Sequence, residues 1–143
     1  MKKYIFFIAV LCGAVLINGC ATTGPIKGSA ASNAVYTDAT REVAFDASVE
    51  ALQKLGYTIE LKDKDNYFVK GSYWNPLTGY QPLYAQIDIT QETSGAKITY
   101  GVDQPGTIKA LDITGYYPRC ANNIYKEIEK VLSAKGHKAQ KSR

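Results

Sequence analysis

The sequence predicts an α+β fold, a two-layer sandwich in which an antiparallel four-stranded meander is covered on one face by two helices. Four central segments alternate apolar and polar residues, and the segments on either side of them repeat apolar residues at helical spacing. Alternating strands bury only one face of a sheet, and the two amphipathic helices would cover that face. The chain has 143 residues, 45% hydrophobic and 21% charged, which suits one globular domain with tails and excludes wholesale disorder.

Residues 1–19 are predicted to be a signal peptide that is removed and takes no part in the fold. Lys2 and Lys3 precede an uncharged, mostly apolar run over residues 4–17. This run is shorter than the roughly 20 residues that a membrane-spanning helix requires. A basic start, a short apolar stretch and small residues at the end are typical of secretory signals.

The end of this segment, residues 17–20 (Ile-Asn-Gly-Cys), resembles the lipobox of bacterial lipoproteins. The resemblance implies that the Cys20 sulfur carries a diacylglyceryl group, that cleavage occurs before Cys20, and that the mature protein is tethered to a membrane. Ala21 follows, rather than the Asp that retains such proteins in the inner membrane, which implies the periplasmic face of the outer membrane. In a Gram-positive cell the same signal would place the protein outside the plasma membrane. The alternative is a plain signal peptide that happens to contain a cysteine.

The remaining chain divides by composition into a tether, a domain and a tail. Residues 20–34 are small and polar and are predicted to be a flexible tether. Residues 35–134 are predicted to form the single domain. Residues 135–143 carry four cations and no acid, so they are predicted to be a basic, disordered end, with contact to anionic lipid as the alternative. The positive charge therefore belongs to the tail, which argues against a nucleic-acid-binding domain.

The first helix is predicted from Asp46, as N-cap, to Gly56, where a helix end favours a left-handed residue. Residues 35–43, which precede it, fit either a short strand or an early helical turn. The apolar residues of this helix are Phe45, Val49, Leu52 and Leu55.

The four strands are separated by turn-forming residues. Asp, Lys and Asn occupy residues 63–66, and Thr-Ser-Gly occupies residues 93–95. Residues 107–115 fit neither the helical nor the strand period. The strands are predicted at residues 57–62, 67–74, 83–90 and 98–102.

The second helix is predicted to begin near Pro118, a residue favoured at the first helical position, and to end at Gly136. Its apolar stripe consists of Cys120, Ile124, Ile128, Val131 and Leu132.

The segment from Phe45 to Gly71 resembles a group of small uncharacterised bacterial envelope lipoproteins. The shared features are Phe-Asp at the helix start, Leu-Gly-Tyr at residues 55–57, and Gly71 after an acidic turn. More loosely, the segment is similar to the domains of the C lipoprotein of the outer-membrane β-barrel assembly machine. The resemblance implies a helix-grip type of fold and no enzymatic activity. The long loop at residues 75–82 departs from the pattern.

Residues that could perform catalysis or bind a metal are few. The single histidine, His137, falls in the predicted tail, which argues against nucleophile–base pairs and zinc sites. Residues 63–67 begin like a calcium loop, but Tyr67 takes a ligand position, so a hairpin turn is preferred. Cys120 is interpreted as a small buried side chain, with a reactive thiol as the alternative. We expect the domain to have no enzymatic activity and to bind neither a cofactor nor a metal ion.

Four aromatic residues surround the loop between the second and third strands. Rigid amphipathic rings suit a protein partner or a glycan, although they could instead cover the end of the sheet. The candidate partner-binding residues are Tyr73, Trp74, Tyr80 and Tyr84.

The expected function is therefore that of a membrane-anchored, non-enzymatic lipoprotein that binds another protein of the cell envelope. The alternative is a domain that binds a small ligand or a cell-wall glycan, and a small hydrolase is a third hypothesis. A flat aromatic patch would favour the first, a wide aromatic cleft the second, and clustered acids in a cavity the third. The sequence leaves the oligomeric state open.

Overall fold

The computed structural model describes residues 32–74, 82–104 and 115–142. These residues form six strands and two helices. In chain order the elements are β1 (Ser32–Thr37), α1 (Arg41–Lys54), β2 (Thr58–Asp63), β3 (Phe68–Tyr73), β4 (Leu83–Glu92), β5 (Gly95–Asp103), α2 (Tyr116–Ala134) and β6 (Ala139–Lys141).

The strands form one sheet in the order β2-β3-β4-β5-β1-β6, and every neighbouring pair is antiparallel. The predicted α+β class, with an antiparallel sheet and two helices, is confirmed. The predicted number of four strands is wrong, because β1 and β6 extend the β2–β5 meander beyond β5. Residues 107–114 of the segment that could not be assigned lie outside the described residues.

The two additional strands also change the predicted boundaries. β1 begins at Ser32, inside the predicted tether of residues 20–34, so residues 32–34 belong to the sheet. β6 lies in the predicted disordered tail, where the Lys138 backbone N–H donates to Asp38 Oδ1 at 3.0 Å and Ser142 N–H donates to the Ala34 carbonyl at 2.9 Å. Strand pairing and this contact with Asp38 therefore order most of the tail.

Helix α1 begins six residues earlier than predicted, since its N-cap is Thr40 rather than Asp46. The Thr40 hydroxyl accepts a hydrogen bond from the Val43 N–H at 3.3 Å. Asp46 is an exposed residue inside the helix, 3.9 Å from the Lys62 ammonium. Gly56 follows the helix with a φ of +84°, as the prediction required.

The core lies between the helices and one face of the sheet. Along β5, and along β4 as far as Ile89, every second residue is buried, and these residues belong to the same core cluster as the buried residues of both helices. The predicted α2 stripe is buried except for Cys120, which is half-buried. We call the other side of the sheet the open face. The fully buried large side chains of the strands and helices include Phe45, Leu52, Leu83, Ile87, Ile89, Ile98, Tyr100, Ile124, Ile128 and Leu132.

Gly95, in the turn between β4 and β5, lies directly against the end of β1. Its φ is +143°, and a Cβ atom placed there would clash with the Thr37 carbonyl and lie 2.8 Å from the Cα of Asp38. Only glycine fits both this backbone conformation and this close approach.

Candidate functional site

Three of the four aromatic residues predicted to bind a partner are described by the structure, and these three do not form one cluster. Cys20 and Tyr80 lie outside the described residues. Tyr73 pairs with the core residue Leu83, so it faces the helices. Tyr84 pairs with Ser72 and lies on the open face. Trp74 directly follows β3 and is 56% exposed.

Tyr73 contributes to a small cleft on the helix side. The cleft has a volume of about 220 Å³. The ring centroids of Tyr73 and Tyr57 are 5.5 Å apart, with their planes tilted by 42°. Burial raises the pKa of the Tyr57 phenol, so this hydroxyl is neutral. The described residues that line the cleft are Leu55, Tyr57, Tyr73, Tyr116, Cys120 and Asn123.

The floor of the cleft depends on Gly71 of β3. A Cβ atom at Gly71 would lie 3.2 Å from the Cβ of Tyr57 and 3.5 Å from Cδ1 of Leu52. The absent side chain allows Tyr57 to approach the backbone of β3 closely. The cleft is smaller than the roughly 300–1,000 Å³ of typical ligand pockets and has room for a single ring rather than a glycan chain.

On the open face, Tyr84 belongs to a mixed aromatic and charged group. The Lys70 ammonium lies 4.3 Å from the centroid of the Tyr84 ring and 3.1 Å from a Glu60 carboxylate oxygen. Burial would raise the pKa of Glu60, but hydrogen bonds from Ser72 and Lys70 outweigh it, and the pKa lies below its ordinary value. The group of Glu60, Lys70 and Tyr84 depends on the pairing of β2 with β3 and of β3 with β4, which local sequence patterns do not specify.

Two further apolar side chains are exposed on the open face. Leu61 is 36% exposed and Tyr36 is 44% exposed. A register shift between Ile59 and Leu61 places Leu61 opposite Lys70, which moves it away from the core side that simple alternation predicts. Tyr36 lies opposite Lys97, whose ammonium is 5.8 Å from the Tyr36 ring centroid.

His137 lies within the fold rather than in a free tail. Its Nδ1 atom is 3.2 Å from Asp38 Oδ1, and the backbone N–H of Lys138 binds the same oxygen. This N–H, and secondarily His137, lower the pKa of Asp38. Over the described part of the chain, no group of three or more His, Cys, Asp or Glu residues could hold a metal ion.

The segment that begins like a calcium loop is a turn between β2 and β3. The Asp63 carboxylate accepts hydrogen bonds from the backbone N–H groups of Asp65 and Asn66, at 3.1 Å each, and from the Asn66 side chain at 2.8 Å. Cys120 is half-buried and lines the same cleft as Tyr57 and Tyr73, which we call the tyrosine cleft.

No family model and no curated protein matches this chain. Neither described helix has the combination of length and apolar character needed to cross a membrane.

Proposed function

We propose that this chain is a lipid-anchored protein of the cell envelope, held by acyl chains on Cys20 at the periplasmic face of the outer membrane. Its domain is non-enzymatic, of a helix-grip type, and binds another envelope protein through the open face of the sheet. The observation that supports this best is the set of exposed apolar side chains on that face, Leu61 and Tyr36, each next to a charged residue. Of the sequence-predicted binding residues, Tyr84 belongs to this face.

An apolar side chain can gain burial either when the domain folds or when it binds a partner. A side chain buried in the core gains its burial on folding, whereas Leu61 and Tyr36 can gain it only in a complex. The neighbouring Lys70–Glu60 pair and Lys97 supply the charged surroundings that set orientation and specificity in protein interfaces.

The anchor is tested by the intact mass of the protein in the membrane fraction. The wild type should begin at Cys20 and carry the mass of the added lipid. Cys20→Ser should remain an uncleaved precursor without lipid, whereas Cys12→Ser, the control, should be processed like the wild type. A mature wild-type protein with an unmodified Cys20 would contradict the anchor.

The interface is tested by affinity purification of the full-length protein from its own envelope. Tyr36→Ala and Leu61→Ala should each lower the recovery of a co-purifying envelope protein by at least about fivefold, the equivalent of about 1 kcal/mol. The melting temperature should barely change, because both side chains are exposed. The control is Lys126→Ala, which alters an exposed residue of α2. Equal recovery with all three variants would exclude the open face as the interface.

The tyrosine cleft supports a second candidate function, the binding of a single neutral sugar or aromatic ring. Its residues carry hydroxyl, thiol and amide groups but no charge, and Tyr57 and Tyr73 offer ring faces for stacking. Titration of cell-wall monosaccharides into the protein, followed by the melting temperature, tests this candidate. A stabilisation that Tyr73→Ala abolishes would support it.

A further inference from the structure

We propose that the end of the domain at which the tether enters rests on the bilayer surface, with Trp74 in the phospholipid headgroup layer. We call this the tether end. The proposal rests on the proposed function, because it requires the lipid anchor at Cys20.

Strand register places Trp74 at the tether end. Ser32, the first residue of β1, lies opposite Gly101 of β5, and Gly101 lies opposite Gln86 of β4. Gln86 in turn lies opposite Lys70 of β3. Trp74 is four residues further along the chain than Lys70, which corresponds to about 13 Å at the rise of an extended strand. Trp74 therefore projects beyond Ser32 in the direction from which the tether arrives.

The length of the tether makes this end the one nearest the membrane. About a dozen residues separate Cys20 from Ser32, and even fully extended they span only about 40 Å. The opposite end of the sheet is marked by Thr93, in the turn between β4 and β5. To present that end, the tether would have to run back about 20 Å along the sheet, which would use half of its reach. The tether end reaches the bilayer without this detour.

The side chains at the tether end suit a lipid headgroup layer. Trp74 is the most exposed of the large apolar residues described, at 56%. Tyr73, the residue before it in the chain, is half-buried and lines the tyrosine cleft together with the half-buried Tyr116. Trp and Tyr rings collect at membrane–water interfaces because one part of the ring is apolar and the other is polar. Arg119, exposed in the first turn of α2, adds a cation suited to lipid phosphates.

Asp103, the acidic residue at the end of β5, does not oppose the contact of Trp74 with the lipid headgroups. Asp103, at the end of β5, lies opposite Tyr84, and Tyr84 lies opposite Ser72. Trp74 extends two residues beyond that level, so it would reach the headgroups before Asp103 does. A lipid surface, rather than a protein, is therefore the occupant that we assign to the tether end, since the anchor itself delivers this end to the bilayer.

The test uses the fact that Trp74 is the only tryptophan of the chain. Full-length lipidated protein is reconstituted into vesicles of phosphatidylethanolamine and phosphatidylglycerol, with and without bromine on the acyl chains near the headgroup. We expect brominated lipid to lower the Trp74 emission at least about twofold, as for an interfacial ring, and the emission maximum to lie at shorter wavelength than in detergent-free buffer. The control is Trp74→Phe combined with Thr93→Trp, which moves the reporter to the opposite end and should show no quenching.

The possible results separate this proposal from the anchor. If the protein floats with the vesicles but Trp74 is quenched no more than the Thr93→Trp reporter, the bilayer contact is refuted and the anchor stands. If the Trp74 emission shifts to shorter wavelength only when envelope protein is added, the tether end binds protein instead of lipid, and the proposal is again refuted. If the protein does not float and its mass shows an unmodified Cys20, the proposed function fails and this inference fails with it.

Discussion

Replacing Tyr100 by Phe is expected to stabilise the domain. Tyr100 lies in the middle of β5, is 1% exposed, and faces the helices. Within the described part of the chain, its hydroxyl is buried without a hydrogen-bond partner. Such a group costs about 1–3 kcal/mol, because it gives up water without a replacement. Tyr100→Phe removes the oxygen and keeps the ring, so we expect a gain of about 1 kcal/mol and a melting temperature higher by about 4–8 °C.

The stability gained by Tyr100→Phe, relative to the wild type, should be larger in alkaline solution. Burial raises the pKa of Tyr100 to about 12, against an ordinary value of about 10. A raised pKa means that the fold favours the neutral phenol. Below pH 10 the Tyr100 phenol is neutral in both the folded and the unfolded state, and the wild type keeps its full stability. As the pH rises from 10 towards 12 the unfolded state ionises first, and the wild type loses stability. At pH 11 the wild type should have lost about 1.4 kcal/mol from this group, whereas Tyr100→Phe loses none.

A matched control is available on α2. Tyr117 is also buried, at 5% exposure, but its hydroxyl donates to Oε1 of Gln104 at 3.1 Å. Tyr117→Phe should therefore lose about 1 kcal/mol. Urea unfolding of both variants at about pH 8 and pH 11 gives the comparison. If Tyr100→Phe is destabilised as much as Tyr117→Phe, the Tyr100 hydroxyl has a partner and the reasoning fails.

Three further changes test the core, the turn and the last strand. Leu52→Ala should cost about 2–5 kcal/mol in urea unfolding because Leu52 is fully buried, whereas the exposed Lys130→Ala should change little; equal effects would contradict the α1 packing. Gly95→Ala should cost at least about 1–3 kcal/mol, since it adds a backbone clash to a strained φ, and a neutral result would contradict the close approach to β1. Asp38→Ala should speed amide hydrogen exchange across β6 and leave α2 protected, because His137 and Lys138, which lead into β6, lose their contacts with this carboxylate. Unchanged exchange in β6 would show that pairing with β1 alone holds it.

The sequence was most informative where large apolar residues repeat regularly. In β4 and β5 the alternation of apolar residues identified both the strands and their buried face. More than half of the residues that helix α1 buries are small, so its apolar pattern is weak and its start was placed too late. These small buried residues are Ala44, Ala47, Ser48 and Ala51.

β6 was missed for a different reason. It has three residues, ends in Lys141, and lies at the edge of the sheet, where lysine is common. Its position depends on β1 and on Asp38, about 100 residues earlier in the chain, and local patterning carries no such information.

The candidate site shows the same limit. Tyr73 and Trp74 are adjacent in sequence, and successive residues of a strand point to opposite faces. Aromatic residues that are close in the sequence are therefore separated in the structure. Tyr73 lines the cleft, Trp74 is exposed after β3, and Tyr84 lies on the open face. The position of Leu61 could not be predicted, since it follows from a bulge.

The position of β1 inside the sheet has a consequence for the order in which the protein folds. Both neighbours of β1, namely β5 and β6, come later in the chain, and β6 belongs to its last few residues. β1 therefore remains unpaired until β5, which begins at Gly95, is available, and its second edge remains unpaired until β6 is available, while the β2–β5 hairpins can form from local contacts. Such long-range pairing slows folding, because the closure of a long loop precedes its stabilising contacts. We expect a truncation before Ala139 to leave β1 as an exposed edge that can pair with other chains.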